Sequence, residues 1–469
     1  MLFNSYEFLF LFLPIVLVGY YFLVPRGARL GFLTVASYFF YGWWDWRFCS
    51  LMLISTVVDY IAGQRIHASD VRTVRRRWLT LSIVANLSLL GFFKYYDLAA
   101  QTTQQLALLF GANIEPYLPM LNIVLPVGIS FYTFQSMSYS LDIYLGAAKP
   151  ARSIWHFACY VALFPQLIAG PIVRYRDLAE QLVQRTHSWA KISLGIQFFI
   201  AGLAKKVILA DGVAFLVPSA FQPGATPDLI GAWVGTLAYS MQIYFDFSGY
   251  SDMAVGLGLM LGFRLPQNFN SPYKACSITD FWRRWHISLS AWLRDYLYIP
   301  LGGNRLGALR TYLNLFVTML LGGLWHGANW TFVVWGGYHG VLLAIERGAG
   351  KHGLWRRWPV PLQQLITFIL VSIGWVFFRA DTLADAGNVL KGMVGLNGVT
   401  WPGLASLQAD QLHWMLMTLA LVLAFGAKNT WEIRWRTTPL AAVAMGLLFL
   451  LSIFTMLVNK ASPFLYFQF

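Results

Sequence analysis

Residues 311–345 form an uncharged run of about 35 residues with Leu320-Leu-Gly-Gly-Leu-Trp-His326-Gly-Ala-Asn-Trp330 at its middle. As one helix the run would be roughly 53 Å long, while the hydrocarbon core of a bilayer is roughly 30 Å thick. A single straight span is therefore excluded. Gly322-Gly323 and the turn-prone Gly327-Ala328-Asn329 offer a break. A backbone broken at membrane depth is tolerated only where it packs inside protein or lines a wet cavity. His326 is accordingly expected deep in the protein, beside such a cavity.

Composition sets the class. The chain has 469 residues, 58% hydrophobic and 12% charged, with a mean hydropathy of +0.56. It reads as an all-α polytopic integral membrane protein, since helices satisfy their own backbone in lipid. Apolar segments fall at 8–24, 31–44, 51–63, 78–93, 118–145, 154–170, 192–217, 229–262, 311–345, 362–378, 412–425 and 440–458. Several are too long or too short for one straight span, which gives about 11–13 membrane segments, broken or re-entrant ones included. No long polar stretch divides the chain, so 1–469 is read as a single membrane domain. Residues 1–7, Met-Leu-Phe-Asn-Ser-Tyr-Glu, carry no basic leader, and the first apolar run is expected to be a retained span. The net charge of +14 resides in short loops, where the positive-inside rule and anionic membrane lipid account for it, and no nucleic-acid partner is expected. Cys49, Cys159 and Cys276 have neither disulfide nor metal-ligand spacing.

Loop charge orients the spans. Bases at 26–29, 65–77, 174–191, 347–357 and 428–436 mark cytoplasmic loops, whereas 218–228 has no base and 381–411 has three acids against Lys391. With 264–310 and 347–357 on one side, the block carrying His326 must enter and return as a hairpin. Residues 277–300, Ser-Ile-Thr-Asp280-Phe-Trp-Arg283-Arg284-Trp-His286-Ile-Ser-Leu-Ser-Ala-Trp-Leu-Arg294-Asp295-Tyr-Leu-Tyr-Ile-Pro, are too polar to span. They are expected to form a helix at the cytoplasmic interface.

Few residues stand out for chemistry. His67, His187 and His352 fall in basic loops and are expected to be solvated, and His156, His339 and His413 to be structural. His326 differs, because an intramembrane ionisable group beside broken backbone suggests function; kept neutral by desolvation, it would serve as a general base. Arg283 and Arg284 near His286 would either anchor in lipid headgroups or bind the phosphates of a cytosolic acyl donor. Lys205, Lys206 and Asp246 are read as buried ion pairs, and Gly258 with Gly262 as a helix-packing pair. There is no P-loop, no G-x-S-x-G elbow and no H-E-x-x-H.

Four stretches carry a family resemblance: Tyr244-Phe-Asp-Phe-Ser-Gly-Tyr-Ser-Asp-Met-Ala-Val-Gly256, Asn268-Phe-Asn-Ser-Pro-Tyr273, Asp280-Phe-Trp-Arg-Arg-Trp-His-Ile-Ser-Leu-Ser290 and Gly322-Gly-Leu-Trp-His-Gly-Ala-Asn-Trp330. Together they resemble the membrane-bound O-acyltransferase (MBOAT) superfamily, in particular its bacterial branch of alginate O-acetylation and teichoic-acid D-alanylation membrane subunits. The resemblance implies a central funnel or tunnel, a deep catalytic histidine at His326 and a second on the cytoplasmic side at His286. It also implies acetyl-CoA as the cytosolic donor, with no permanently bound cofactor or metal. The acetyl group would cross the bacterial inner membrane to a periplasmic acetyltransferase partner that decorates an exopolysaccharide such as alginate or cellulose. Phe464-Leu-Tyr466-Phe-Gln-Phe469 resembles the aromatic-tyrosine ending of small companion proteins in D-alanylation systems, which implies Tyr466 as an acyl relay. The competing reading is a transporter or export pore without covalent chemistry; it predicts inverted repeats of broken helices, and the two halves show no self-similarity.

Overall fold

The computed structural model describes residues 1–350, 353, 357–399, 410–459 and 464–465. The chain divides into two compact units, Met1–Ser188 with Leu261–Leu265, and Trp189–Met260 with Pro266–Phe469. No strand occurs among the described residues.

The first unit contains α1 (Glu7–Leu23), α2 (Arg29–Asp45), α3 (Cys49–His67), α4 (Arg72–Leu109), α5 (Ile129–Tyr144) and α6 (Ile154–Ala162). Buried polar groups tie α3, α4 and α5 together. The Asp59 carboxylate accepts from Ser82 Oγ and, at 2.8 Å, from Asn86 Nδ2. Ser55 Oγ donates to Asn86 Oδ1 at 2.7 Å and also approaches Ser136 Oγ. His156 works in the cap of α6, with Nδ1 2.7 Å from Ser153 Oγ. His187, expected free in solvent, has its Nε2 2.9 Å from the Tyr20 hydroxyl. A loop position does not prevent an imidazole from finding a buried phenol.

The second unit is built on α7 (Trp189–Leu216) and α8 (Leu229–Met260), which run antiparallel in near backbone contact. A Cβ on Gly256 would lie 2.5 Å from Gly195 O, and one on Gly249 2.7 Å from Gly202 O. Small residues permit this approach. The packing pair expected at Gly258 and Gly262 is not used in that form. The helix stops at Met260, and Gly262 takes φ +88° in the turn beyond it. A wide π-type turn at Lys205–Ala210 opens α7 where Lys205 meets Asp252 at 2.6 Å and Lys206 meets Asp246 at 2.6 Å. The ion-pair reading of these residues agrees with that arrangement.

Residues 277–300 do not form one helix. They fold as α9 (Ile278–Arg284), α10 (Ile287–Leu293) and a wide turn Arg294–Tyr298. Seven residues extend roughly 10 Å as helix, far short of a span. The expected hairpin follows as α11 (Ala308–His326) and α12 (Trp330–Gly348). Gly327 is extended between them, and Asn329 caps α12 by accepting from Thr331 N–H at 3.1 Å. A Cβ on Gly323 would meet Gly336 Cα at 3.0 Å, and one on Gly340 would meet Phe316 at 3.0 Å. These glycines let the two helices close on each other.

The unit ends with α13 (Val360–Arg379), α14 (Leu383–Met393), α15 (Gln411–Phe425) and α16 (Pro439–Val458). Among the described residues α4, α7, α13 and α16 are long and apolar enough to cross a membrane alone, and α1 and α15 are shorter apolar helices. The protein is a multi-pass membrane protein. Length and composition support fewer independent spans than the hydropathy segments suggest, because part of the apolar sequence is spent in paired and broken helices.

Candidate active site

His286 sits at the break between α9 and α10. Ser277 caps α9 through Asp280 N–H, and the helix stops at Trp285. His286 itself adopts φ 43°, ψ 56°, a left-handed conformation uncommon for a residue with a Cβ and found at functional sites. The chain at 268–270 holds it there. Asn270 N–H donates to Arg284 O at 2.9 Å, and Ile287 N–H donates to Asn268 O at 2.9 Å.

The same Asn268 sets the protonation of the ring. Ser288 N–H donates to Asn268 Oδ1 at 3.3 Å and Ser288 Oγ does so at 2.9 Å, while Asn268 Nδ2 reaches Ser251 Oγ at 3.1 Å. A backbone N–H can only donate, so the atom facing Ser288 is the amide oxygen. His286 Nδ1, 3.1 Å from that oxygen, must then carry the hydrogen. In the neutral ring the lone pair belongs to Nε2. This tautomer accepts at Nε2 rather than donates, so polarising a carbonyl from there would require the imidazolium.

His326 is the last residue of α11. The hairpin brings its ring 6.4 Å from that of His286, centroid to centroid, and both side chains are buried. Around His326 stand Trp325 at 5.0 Å, Trp335 at 5.1 Å and Phe378 at 5.3 Å. Phe247 meets His286 edge-on at 4.7 Å. Two imidazoles, separated by 40 residues in the chain (326 − 286), thus share one cluster of aromatic rings. Packed rings keep water sparse and strengthen any charge that develops among them.

The two arginines part company. Arg283 is exposed, available to an anionic group. Arg284 Nε ion-pairs with Asp280 at 2.8 Å, and its Nη1 is 3.5 Å from Asn270 O. It braces the turn that carries His286. Tyr466 lies outside the described residues. Leu465, one peptide bond before it, is buried and donates its N–H to Asp246 Oδ2 at 3.0 Å.

One residue of the site has no role in the sequence reading. Asn268 lies in one of the four motifs, and its partners are 17 to 20 residues away. His339, expected to be structural, is fully buried and packs 5.1 Å from Trp335, the ring that also flanks His326. No group of three or more metal-binding side chains was found among the described residues.

Residues 43–353 match the MBOAT, membrane-bound O-acyltransferase family. The chain is similar over its full length to the probable alginate O-acetylase of Azotobacter vinelandii, 44% identical across 100% of both chains. It is also similar to the probable alginate O-acetylase of Pseudomonas putida, 45% identical across 100% of both. The peptidoglycan O-acetyltransferase of Helicobacter pylori is 38% identical over 100% of this chain and 98% of its own.

Proposed function

This chain belongs to the membrane-bound O-acyltransferase family, and from that premise we propose that it takes acetyl from cytosolic acetyl-CoA and delivers it across the bacterial inner membrane for O-acetylation of an exopolysaccharide. Alginate is the leading candidate polymer and cellulose the next. The enzyme is an O-acyltransferase. The named relatives act on different polymers, alginate in two cases and peptidoglycan in the third, while all three names specify O-acetyl chemistry. That pattern supports acetyl as the transferred group.

The observation that carries the mechanism is the buried pair His286 and His326, 6.4 Å apart. In the proposed reaction a hydroxyl oxygen attacks the thioester carbonyl carbon and its proton passes to His326. Collapse of the tetrahedral intermediate breaks the C–S bond, and the same proton leaves with the thiolate. A thioester is already activated, so the transfer needs no nucleotide hydrolysis. His286, with its lone pair at Nε2, accepts a hydrogen bond from an amide N–H of the pantetheine arm. Arg283 receives the donor's phosphates at the surface. Tyr466 is the proposed first acceptor: its phenyl ester stays activated, because phenolate, with a pKa near about 10, leaves far better than a sugar alkoxide. A periplasmic acetyltransferase then passes the group to the polymer.

Acetyl content of polymers from a strain lacking this protein tests the reading. Loss of polymer O-acetylation, restored by the wild-type chain and not by Tyr466→Phe, is the expected result. Unchanged acetylation in the deletion strain would overturn it.

A further inference from the structure

His339 is as deeply buried as His286, yet nothing holds it as Asn268 holds His286. Among the described residues neither of its ring nitrogens has a hydrogen-bond partner, and the same is true of the indole N–H groups of Trp282 and Trp335. The three rings face one another. Trp282 on α9 and His339 on α12 stand 5.1 Å apart, Trp335 and His339 5.1 Å, and Trp282 and Trp335 5.7 Å. Gly374 of α13 makes way for the imidazole, since a Cβ there would lie 2.8 Å from His339 Nε2.

Buried polar groups are nearly always hydrogen-bonded, because a bare one loses its water and receives nothing in return. A phenyl ring at 339 would carry no such cost. Packing therefore accounts for a ring at this position and leaves its two nitrogens unexplained.

Their place in the hairpin bears on the reaction. Trp335 is also the ring 5.1 Å from His326. His339 lies one turn farther along α12, about 6 Å from Trp335 on the helix axis, away from the turn that carries His326. That direction leads to Arg347 near the end of α12, the side expected to face the cytoplasm. A cytosolic donor that brings its thioester to His326 reaches the level of Trp282 and His339 first.

The pantetheine arm of such a donor contains two secondary amides, each with one N–H and one carbonyl oxygen. An uncharged imidazole offers one lone pair, and an indole offers one N–H. In the proposed reaction His286 serves one amide. We infer that His339 and Trp282 form the seat of the other, the imidazole lone pair accepting the amide N–H and the indole N–H donating to the amide carbonyl, so that the pair selects thioesters carried on pantetheine. The inference rests on acetyl-CoA as the donor, and the experiment separates the two.

Thiol release by the purified full-length chain in detergent is followed against acetyl-CoA concentration, beside the melting temperature. His339→Phe keeps a ring and removes both nitrogens, whereas His339→Gln keeps a donor and an acceptor and loses the ring. The acetyl-CoA concentration at half-maximal rate should rise about tenfold or more in His339→Phe, with a melting temperature at or above that of wild type. In His339→Gln it should stay within about threefold, with a lower melting temperature. A merely structural histidine gives the reverse order on both readouts. Trp282→Phe removes one N–H from the same seat and covers the case in which His339→Phe fails to fold; a rise of about threefold or more is expected. An unchanged half-maximal concentration in either phenylalanine variant would overturn the inference while leaving the donor standing. Absence of thiol release from acetyl-CoA by wild type would overturn both.

Discussion

Asp59 and His326 are both ionisable side chains buried among apolar helices, and the protein surrounds them differently. Asp59 receives hydrogen bonds from Ser82 and Asn86 on the neighbouring helix, and Asn86 is held in turn by Ser55. Both donors are short polar groups placed to satisfy it. His326 is instead ringed by Trp325, Trp335, Phe378 and His286. A satisfied network fixes three helices against one another. An imidazole packed among rings lies at low dielectric, where the proposed proton transfer would take place. Burial alone does not distinguish the two groups; their surroundings do.

The contrast is sharpest at His326. His326→Ala should lower polymer acetylation by roughly two to four orders of magnitude, the usual scale for a general base, with the protein still folded in the membrane. Acetyl content of polymer from complemented cells, beside a membrane-fraction blot, reads both.

His286 should come next. His286→Ala is expected to cost roughly tenfold to a hundredfold, the scale of about 1–3 kcal/mol for a buried hydrogen bond to the donor. The loss should appear mainly in KM for acetyl-CoA. Asn268→Ala should follow it in direction, since the amide oxygen sets the tautomer; a mutant with unaltered KM would return both residues to a structural role.

Asn86→Leu tests the other side of the comparison. It removes a donor from Asp59 and an acceptor from Ser55, so it should destabilise the protein by about 1–3 kcal/mol and leave turnover per folded molecule unchanged. A drop in turnover with no drop in melting temperature would break the distinction drawn here. The smallest effect is expected at the surface. Arg283 is exposed, and screened ion pairs contribute only about 0–1 kcal/mol, so Arg283→Ala should raise KM for acetyl-CoA a few-fold, and less at high salt.

The sequence made the hairpin legible because its cues are local. Gly322-Gly323 permits a close approach, Gly327 a break, and Asn329 a helix cap, all within one turn or two of His326. The break at His286 was not legible in the same way. Residues 277–300 have the amphipathic look of one helix, and what interrupts them is the chain at 268–270 binding Arg284, Ile287 and Ser288 from outside. For Arg284 the sequence leaves open a lipid-headgroup anchor or a phosphate ligand, and the structure adds an i, i+4 ion pair with Asp280, four residues before it. Gly258 and Gly262 fit a packing motif by spacing alone, yet the helices touch at Gly249 and Gly256. Spacing identifies which residues can pack, and only the partner helix selects which do.

The central claim is that His326 takes the proton of the attacking hydroxyl, and chemical rescue tests it most directly. Purified wild type and His326→Ala would be mixed with acetyl-CoA in detergent, and thiol release followed with and without added imidazole. With Tyr466 as the first acceptor, the account predicts a burst of thiol release by wild type of one thiol per chain without any added acceptor, near-zero release by His326→Ala, and partial recovery of the mutant by imidazole. Thiol release by His326→Ala at the wild-type rate without imidazole would contradict it.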